Sequence, residues 1–347
     1  MENLQNQQNT ANQPNNQAYP PPLPPEVIEE KRFKKWMYRI FGANLLYDGI
    51  MLGIVIAIGV VIGIVLGVIM VINNSPDFLD EAVSQFEKTD MGSSIAVIIA
   101  CFFLGLFLRK TVKFKEIFIK RKSMNVKSLF MIFSIFYGGQ LVFTLFDMGL
   151  EFLLNRIGFT AQEAVEAASA GSESITMMIY AGFVAPVIEE IVFRGYMMKS
   201  LEKTGVGKGY AILVSSILFG VMHGNFVQSP FAFVVGMVLG YTAMEYGIVW
   251  SILIHFVNNF IMGDVFTRLI DRLPENIGGI VEYTVLAAFT IIAVIVLIIN
   301  RRAVAANVKE NYQTPKKYYK WTFTNPLFII FCIIYFLMSF LTITRLE

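Results

Sequence analysis

From Ile50 to Ile72 every residue is aliphatic, methionine or glycine. Roughly 20 such residues, wound into a helix, cross the hydrocarbon core of a bilayer, and a helix is what satisfies their backbone groups there. The same reading recurs along the chain and gives about nine candidate spans: 50–72, 92–108, 129–150, 176–198, 209–223, 230–246, 248–263, 281–299 and 325–344. Hydrophobic residues make up 55% of the 347 and charged residues 16%, too little polar surface to cover a soluble core. The expected fold is all-α: a polytopic membrane helical bundle of about nine transmembrane helices around a core of four motif-bearing ones.

The segments between spans alternate in charge. Residues 29–36 are basic on balance, as are 109–127, the Lys199, Lys203 and Lys208 segment, and the Arg301 to Lys320 segment. The loops holding Asp77 to Asp90 and Glu163 to Glu173 are acidic. Lys/Arg-rich loops stay cytoplasmic, so the amino terminus is expected inside and the carboxyl terminus outside a multi-pass protein of the cell membrane. Residues 1–28 read as a disordered Asn/Gln/Pro-rich cytoplasmic tail, 29–175 as amino-terminal membrane helices with a basic loop, 176–263 as the motif-bearing core, and 264–347 as carboxyl-terminal membrane helices. The 109–127 segment interleaves its cations with Phe114, Ile117 and Phe118. That pattern fits a loop lying on anionic lipid rather than a nucleic-acid patch. Gly59, Gly63 and Gly67, and likewise Gly236 and Gly240, repeat at four-residue spacing. Such faces close-pack, within one chain or between copies in a homo-oligomer. Cys101 and Cys332 both fall mid-span and read as packing residues rather than a disulfide.

Ionisable residues inside apolar segments are candidates for a functional site, because taking them out of water costs free energy that the fold does not need to spend. They cluster. Ala185-Pro186-Val187-Ile188-Glu189-Glu190-Ile191-Val192-Phe193-Arg194 carries three charges. Glu190 and Arg194 are four apart and can pair on one helix face, while Glu189 points about 100° away and has no basic partner on its own helix. An unpaired, desolvated carboxylate suits general-base work. Pro186, lacking an N–H, removes the helical bond to Gly182 and bends the helix just before the acids. The only two histidines lie on later spans: His223 four residues after Phe219, and His255 four before Asn259, with Ser251 one turn earlier on the same face. At about 1.5 Å rise per residue, Glu189, His223 and His255 each fall on the order of 10–20 Å from the cytoplasmic boundary.

A carboxylate and an imidazole can orient and deprotonate water, while a second imidazole and a carboxamide can stabilise an oxyanion. That set hydrolyses an amide without a covalent intermediate or a cofactor. Ser251 has no acid on its own helix to complete a serine triad. A His₂Glu zinc site is chemically available, yet the His-Glu-x-x-His spacing of familiar metalloproteases is missing, so no metal is expected. A proton-coupled transporter would show inverted repeats, and the ionisable residues occupy one region only. A non-catalytic membrane binding or immunity protein, using the same polar pocket for docking, is the other reading.

In order and on successive apolar segments, Glu189-Glu190-x-x-x-Arg194, Phe219-x-x-x-His223 and His255-x-x-x-Asn259 resemble the three motifs of the type II CaaX prenyl endopeptidase and bacteriocin-processing family, also called the ABI or CPBP family. The resemblance implies a helical membrane bundle with a cavity open to the cytoplasm, hydrolysing a peptide bond of a peptide or membrane-protein substrate. It implies that Glu189 and His223 activate the attacking water and that His255 and Asn259 form the oxyanion site. Glu190 and Arg194 would support them, Arg194 being a candidate for contacting a substrate carboxylate. Bacterial members of that family are associated with peptide maturation, bacteriocin self-immunity and protein secretion.

Overall fold

The computed structural model describes residues 24–73, 91–119, 121–162 and 175–346. Both acidic loops and most of the amino-terminal tail expected above lie outside those residues. The described part is built from helices: α1 (Pro25–Asn73), α2 (Met91–Leu108), the single turn α3 (Phe114–Ile117), α4 (Val126–Gly138), α5 (Gln140–Arg156), α6 (Ile175–Glu202), α7 (Lys208–Met222), α8 (Gln228–Glu245), α9 (Ile248–Ile270), α10 (Glu275–Asn311), α11 (Lys316–Phe323) and α12 (Pro326–Leu341). The one strand pairing joins Phe159–Thr160 to Thr344–Arg345, antiparallel and two residues long. It ties the end of α5 to the carboxyl terminus without altering the all-helical architecture.

Five of these helices are long and apolar enough to cross a membrane, or six if the bent pair α11 and α12 is one span. Nine is not reached by that measure. The apolar parts of α2 and α7, Ser94–Leu108 and Lys208–Met222, are too short to pass it. The expected spans 92–108, 209–223 and 230–246 fall on α2, α7 and α8, which do not meet that measure, and α7 and α8 pack closely on each other. Residues 25–28, expected within the disordered tail, are the first turn of α1, which Pro25 opens with a φ already suited to a helix start. The fold is nonetheless that of a multi-pass membrane protein. Val55, Ile56, Val60, Val61 and Ile64 of α1 all turn outward, an apolar exterior suited to lipid.

Local chemistry places the breaks. Asn125 caps α4 by accepting from the backbone N–H of Ser128 at 2.8 Å, and Asn325 caps α12 by accepting from that of Leu327 at 2.9 Å. Pro326 follows at the first helical position, where a missing N–H costs nothing, and α11 and α12 meet at a 60° bend. At the polar end of α1, Lys317 pairs with Glu29 at 2.8 Å and the Tyr318 hydroxyl also donates to Glu29. Phe33 packs edge-on to Tyr318, beside Tyr210, whose hydroxyl lies 2.6 Å from that of Thr322.

The two glycine repeats behave differently. A Cβ on Gly236 would lie 3.1 Å from Ser216 and one on Gly240 3.0 Å from Ile212, so this repeat seats α8 against α7. Among the described residues, Gly59, Gly63 and Gly67 have no heavy atom within 4 Å of that position. A close backbone approach occurs at Gly138 of α4, where a Cβ would sit 2.8 Å from the Phe289 carbonyl oxygen of α10. Phe133 and Tyr137 meet the Phe289 ring edge-on at the same crossing. Gly138→Ala is expected to destabilise by about 1–3 kcal/mol, because rigid backbone must move. Gly59→Ala is expected to shift stability by less than about 0.5 kcal/mol. Unfolding by dodecyl sulfate titration in mixed micelles measures both.

Candidate active site

The site begins with a proline. In α6 the backbone is π-helical over Tyr180–Val184, α-helical over Ala185–Glu189 and π-helical again over Glu190–Met198. The Ala185 N–H reaches back five residues to the Tyr180 carbonyl. Pro186 has no N–H to continue that ladder, so the carbonyl it leaves open is that of Ala181, one residue earlier than an α-helical count would give. Asn259 of α9 donates its side-chain N–H to that carbonyl at 3.2 Å. Asn259 itself lies in a third π-helical stretch, Val257–Phe266. Gly182 makes the crossing close: a Cβ there would meet the Phe260 ring at 2.9 Å. One missing backbone donor thus docks the helix of the carboxylates onto the helix of the second histidine. π-Helical turns are rare and concentrate at functional sites.

Beyond this junction the two glutamates part company. Glu190 is fully buried (0% exposed). Its Oε1 accepts from Arg194 Nη1 at 2.8 Å and lies 3.1 Å from His255 Nδ1, and its Oε2 accepts from the Ser251 hydroxyl at 2.5 Å. Arg194, 1% exposed, donates to the Gly236 carbonyl of α8 at 3.3 Å and stacks its guanidinium 4.3 Å over the Phe219 ring of α7. Its contacts all lie within the protein. The Glu190–Arg194 pair therefore ties together α6, α7, α8 and α9. Glu189 keeps 20% of its side chain exposed and, among the described residues, makes no hydrogen bond. Its Oε2 stands 3.7 Å from His255 Nε2, too long for a direct hydrogen bond.

His223 closes α7 as its C-cap. Its Nδ1 lies 2.8 Å from the Phe219 carbonyl, which only accepts, so Nδ1 carries the proton and Nε2 of the neutral ring keeps its lone pair. Gly224 follows with φ +63, the left-handed turn that ends the helix at the histidine. The Phe219 ring meets His223 edge-on at 4.9 Å, His255 at 6.1 Å and Phe193 at 5.2 Å. Phe219 is thus the platform on which both imidazoles and the arginine are set. Among the described residues, no three His, Cys, Asp or Glu side chains are grouped as a metal site.

Residues 171–261 match the family model described as type II CAAX prenyl endopeptidase Rce1-like. Over that segment the chain is similar to this family. The match covers about a quarter of the chain. It takes in the whole constellation from Glu189 to Asn259. No curated protein and no solved structure matches the chain. An Rce1-like core implies intramembrane protease activity of the CAAX type, and hence a peptide or protein substrate.

Two features of this core escape a reading of the sequence. Ser251 looked unsupported because its helix has no acid, but its partner Glu190 is 61 residues away on α6. Its four-residue spacing from His255 was the available signal. Asn258 and Gln140 extend the amide array: Gln140 donates to Asn258 at 2.9 Å and Asn258 donates to Asn259 at 3.0 Å. Gln140 lies outside the matched segment and carries no local pattern that would reveal it. The imidazole within ion-pair distance of Glu189 is that of His255.

Removing Glu190 would leave Arg194 buried and uncompensated, so Glu190→Ala is expected to cost about 3–5 kcal/mol of stability. Dodecyl sulfate unfolding of the purified variant is the check. A loss under about 1 kcal/mol, the value of an exposed pair, would contradict the burial described above.

Proposed function

We propose that this chain is an intramembrane endopeptidase of the glutamic type. The observation that carries this reading is the contrast between adjacent carboxylates. Glu190 is sealed and saturated, with Arg194, Ser251 and His255 as partners, whereas Glu189 is partly open and faces an imidazole without a direct bond. One acid is spent on scaffold and its neighbour is left for chemistry.

In the proposed reaction a water lies between Glu189 and the imidazoles. Glu189 takes its proton, with the His223 Nε2 lone pair available to orient or share it. The hydroxide adds to the scissile carbonyl, and the developing oxyanion is met by the Nε2–H of His255, a ring that must carry protons on both nitrogens in this step because Nδ1 donates to Glu190, and by Asn259, which has a second amide hydrogen beyond the one given to Ala181. Glu190 fixes His255 through Nδ1, so that Nε2 points to the Glu189 side. Collapse of the tetrahedral species expels the amine, which takes the proton from Glu189. Glu190, Arg194, Ser251 and Phe219 are positioning residues in this scheme, and no cofactor or metal takes part.

The substrate class that fits is a membrane-associated peptide or protein. An apolar cavity of about 470 Å³, lined by Val221, Phe226, Phe328, Cys332 and Tyr335 among others, flanks the turn that follows His223. It offers room for an apolar part of such a substrate. In this reading the protein lies in the cell membrane with its amino terminus cytoplasmic, on the side of the basic Arg109–Lys127 segment.

Glu189→Gln keeps shape and removes basicity. It is expected to lower cleavage by about 10²–10⁴-fold, the usual worth of a general base, while leaving dodecyl sulfate unfolding unchanged. Membrane peptidomes of cells carrying wild type or the variant identify the uncleaved substrate, which then serves for purified assays. Retained cleavage by purified Glu189→Gln, or activity abolished by chelation and restored by zinc, would refute the glutamic mechanism.

A further inference from the structure

The Arg109–Lys127 segment lies outside the Rce1-like match, yet it grips the helix that carries the carboxylates. Its inner face is Thr111, Val112, Ile117 and Met124, all buried. Ile117 packs on Gly195, next to Arg194, so closely that a Cβ at Gly195 would come within 2.9 Å of it. Three ion pairs fasten the segment to the ends of α6 and α8: Lys203 to Glu116 at 2.5 Å, Arg121 to Glu202 at 3.3 Å and Lys122 to Glu245 at 2.6 Å. Lys203 also donates to the Thr111 carbonyl at 2.6 Å. The lysine holds the Glu116 carboxyl below its ordinary range.

The outer face is different in kind. Phe114, Phe118 and Ile119 are exposed by 60%, 38% and 52%, with the two rings 5.3 Å apart. Around them Arg109, Lys110, Lys113, Lys115 and Lys127 are exposed and, among the described residues, form no ion pair. The segment begins directly where α2 leaves its apolar run at Leu108. Aromatic rings among unneutralised cations at the end of an apolar helix match the boundary of an anionic leaflet: cations meet headgroups and rings enter the acyl edge. A nucleic acid would satisfy the cations and leave Ile119 in water.

We propose that the outer face of Arg109–Lys127 docks on an anionic lipid surface, and that docking holds the Glu190–Met198 segment in place through the Ile117–Gly195 contact, making acidic lipid a regulator of the site. The docking itself is independent of the peptidase reading; only its effect on turnover rests on it.

The test uses the full-length protein with Cys101 and Cys332 replaced by alanine and an environment-sensitive fluorophore on Phe118→Cys, in nanodiscs of phosphatidylcholine alone or with phosphatidylglycerol. The acidic lipid is expected to shift the emission to the blue and to slow hydrogen exchange across Glu190–Glu202 severalfold. Lys113→Gln with Lys115→Gln is expected to lose both effects. Ile117→Ala is expected to keep the emission shift and lose the exchange effect. Equal emission in the two lipids would overturn the docking, and an emission shift with unchanged exchange would overturn the coupling. A shift produced by an oligonucleotide in neutral lipid would reassign the patch. None of these readouts needs cleavage, so they stand apart from a failure of the peptidase reading.

Discussion

A carboxylate and a guanidinium, both removed from solvent, organise this molecule. In a low-dielectric interior neither Glu190 nor Arg194 is tolerable without the other, and their geometry must be good enough to offset the loss of hydration. The surroundings of the pair follow from that demand. Gly236 opens its carbonyl to the guanidinium, Phe219 offers it a ring face, and Ser251 and His255 fill the remaining acceptor sites of the carboxylate. Because these groups come from separate helices, satisfying one ion pair also fixes the packing of the core. His255 receives its orientation as a by-product of that arrangement.

The second organising constraint is a donor that is missing. Pro186 cannot complete the π-helical ladder, and the carbonyl of Ala181 is satisfied across the helix boundary by Asn259. The helix is therefore tied at two points, by the Glu190–Arg194 pair and its partners on one side of Glu189 and by the Asn259–Ala181 bond on the other. Glu189 sits between these fixed points. That placement explains how a partly exposed side chain on a membrane helix can hold a defined direction.

Much of this was legible in the sequence. The apolar runs announced membrane helices, and four-residue spacings announced the Glu190–Arg194 pair, the Phe219–His223 contact and the shared face of Ser251 and His255. Three things were not legible. Of the nine expected spans, five or six have the helix length and hydropathy of a membrane crossing, because an apolar run in the sequence does not fix the length of the helix that holds it. The carbonyl freed by Pro186 was misassigned to Gly182, because periodicity assumes 3.6 residues per turn and nothing local signals a wider helix. The partners of Ser251 and Asn258, Glu190 and Gln140, are remote in the chain, and pairings at that range are decided by packing rather than by pattern.

The wide turns of α6 also bear on how such a chain can vary. Each π-helical stretch stores an additional residue in nearly the same axial length, so the side chains beyond it keep the direction they would have on an α-helix one residue shorter. Deleting one residue between Tyr180 and Val184 would return that turn to the α form and leave Glu189 facing His255, whereas deleting one from the α-helical stretch 185–188 would swing Glu189 by about 100°. Side chains facing lipid on this helix can be exchanged at little cost, while its length can change only at the wide turns. Those turns are the places where the helix can gain or lose a residue without rotating its carboxylate face.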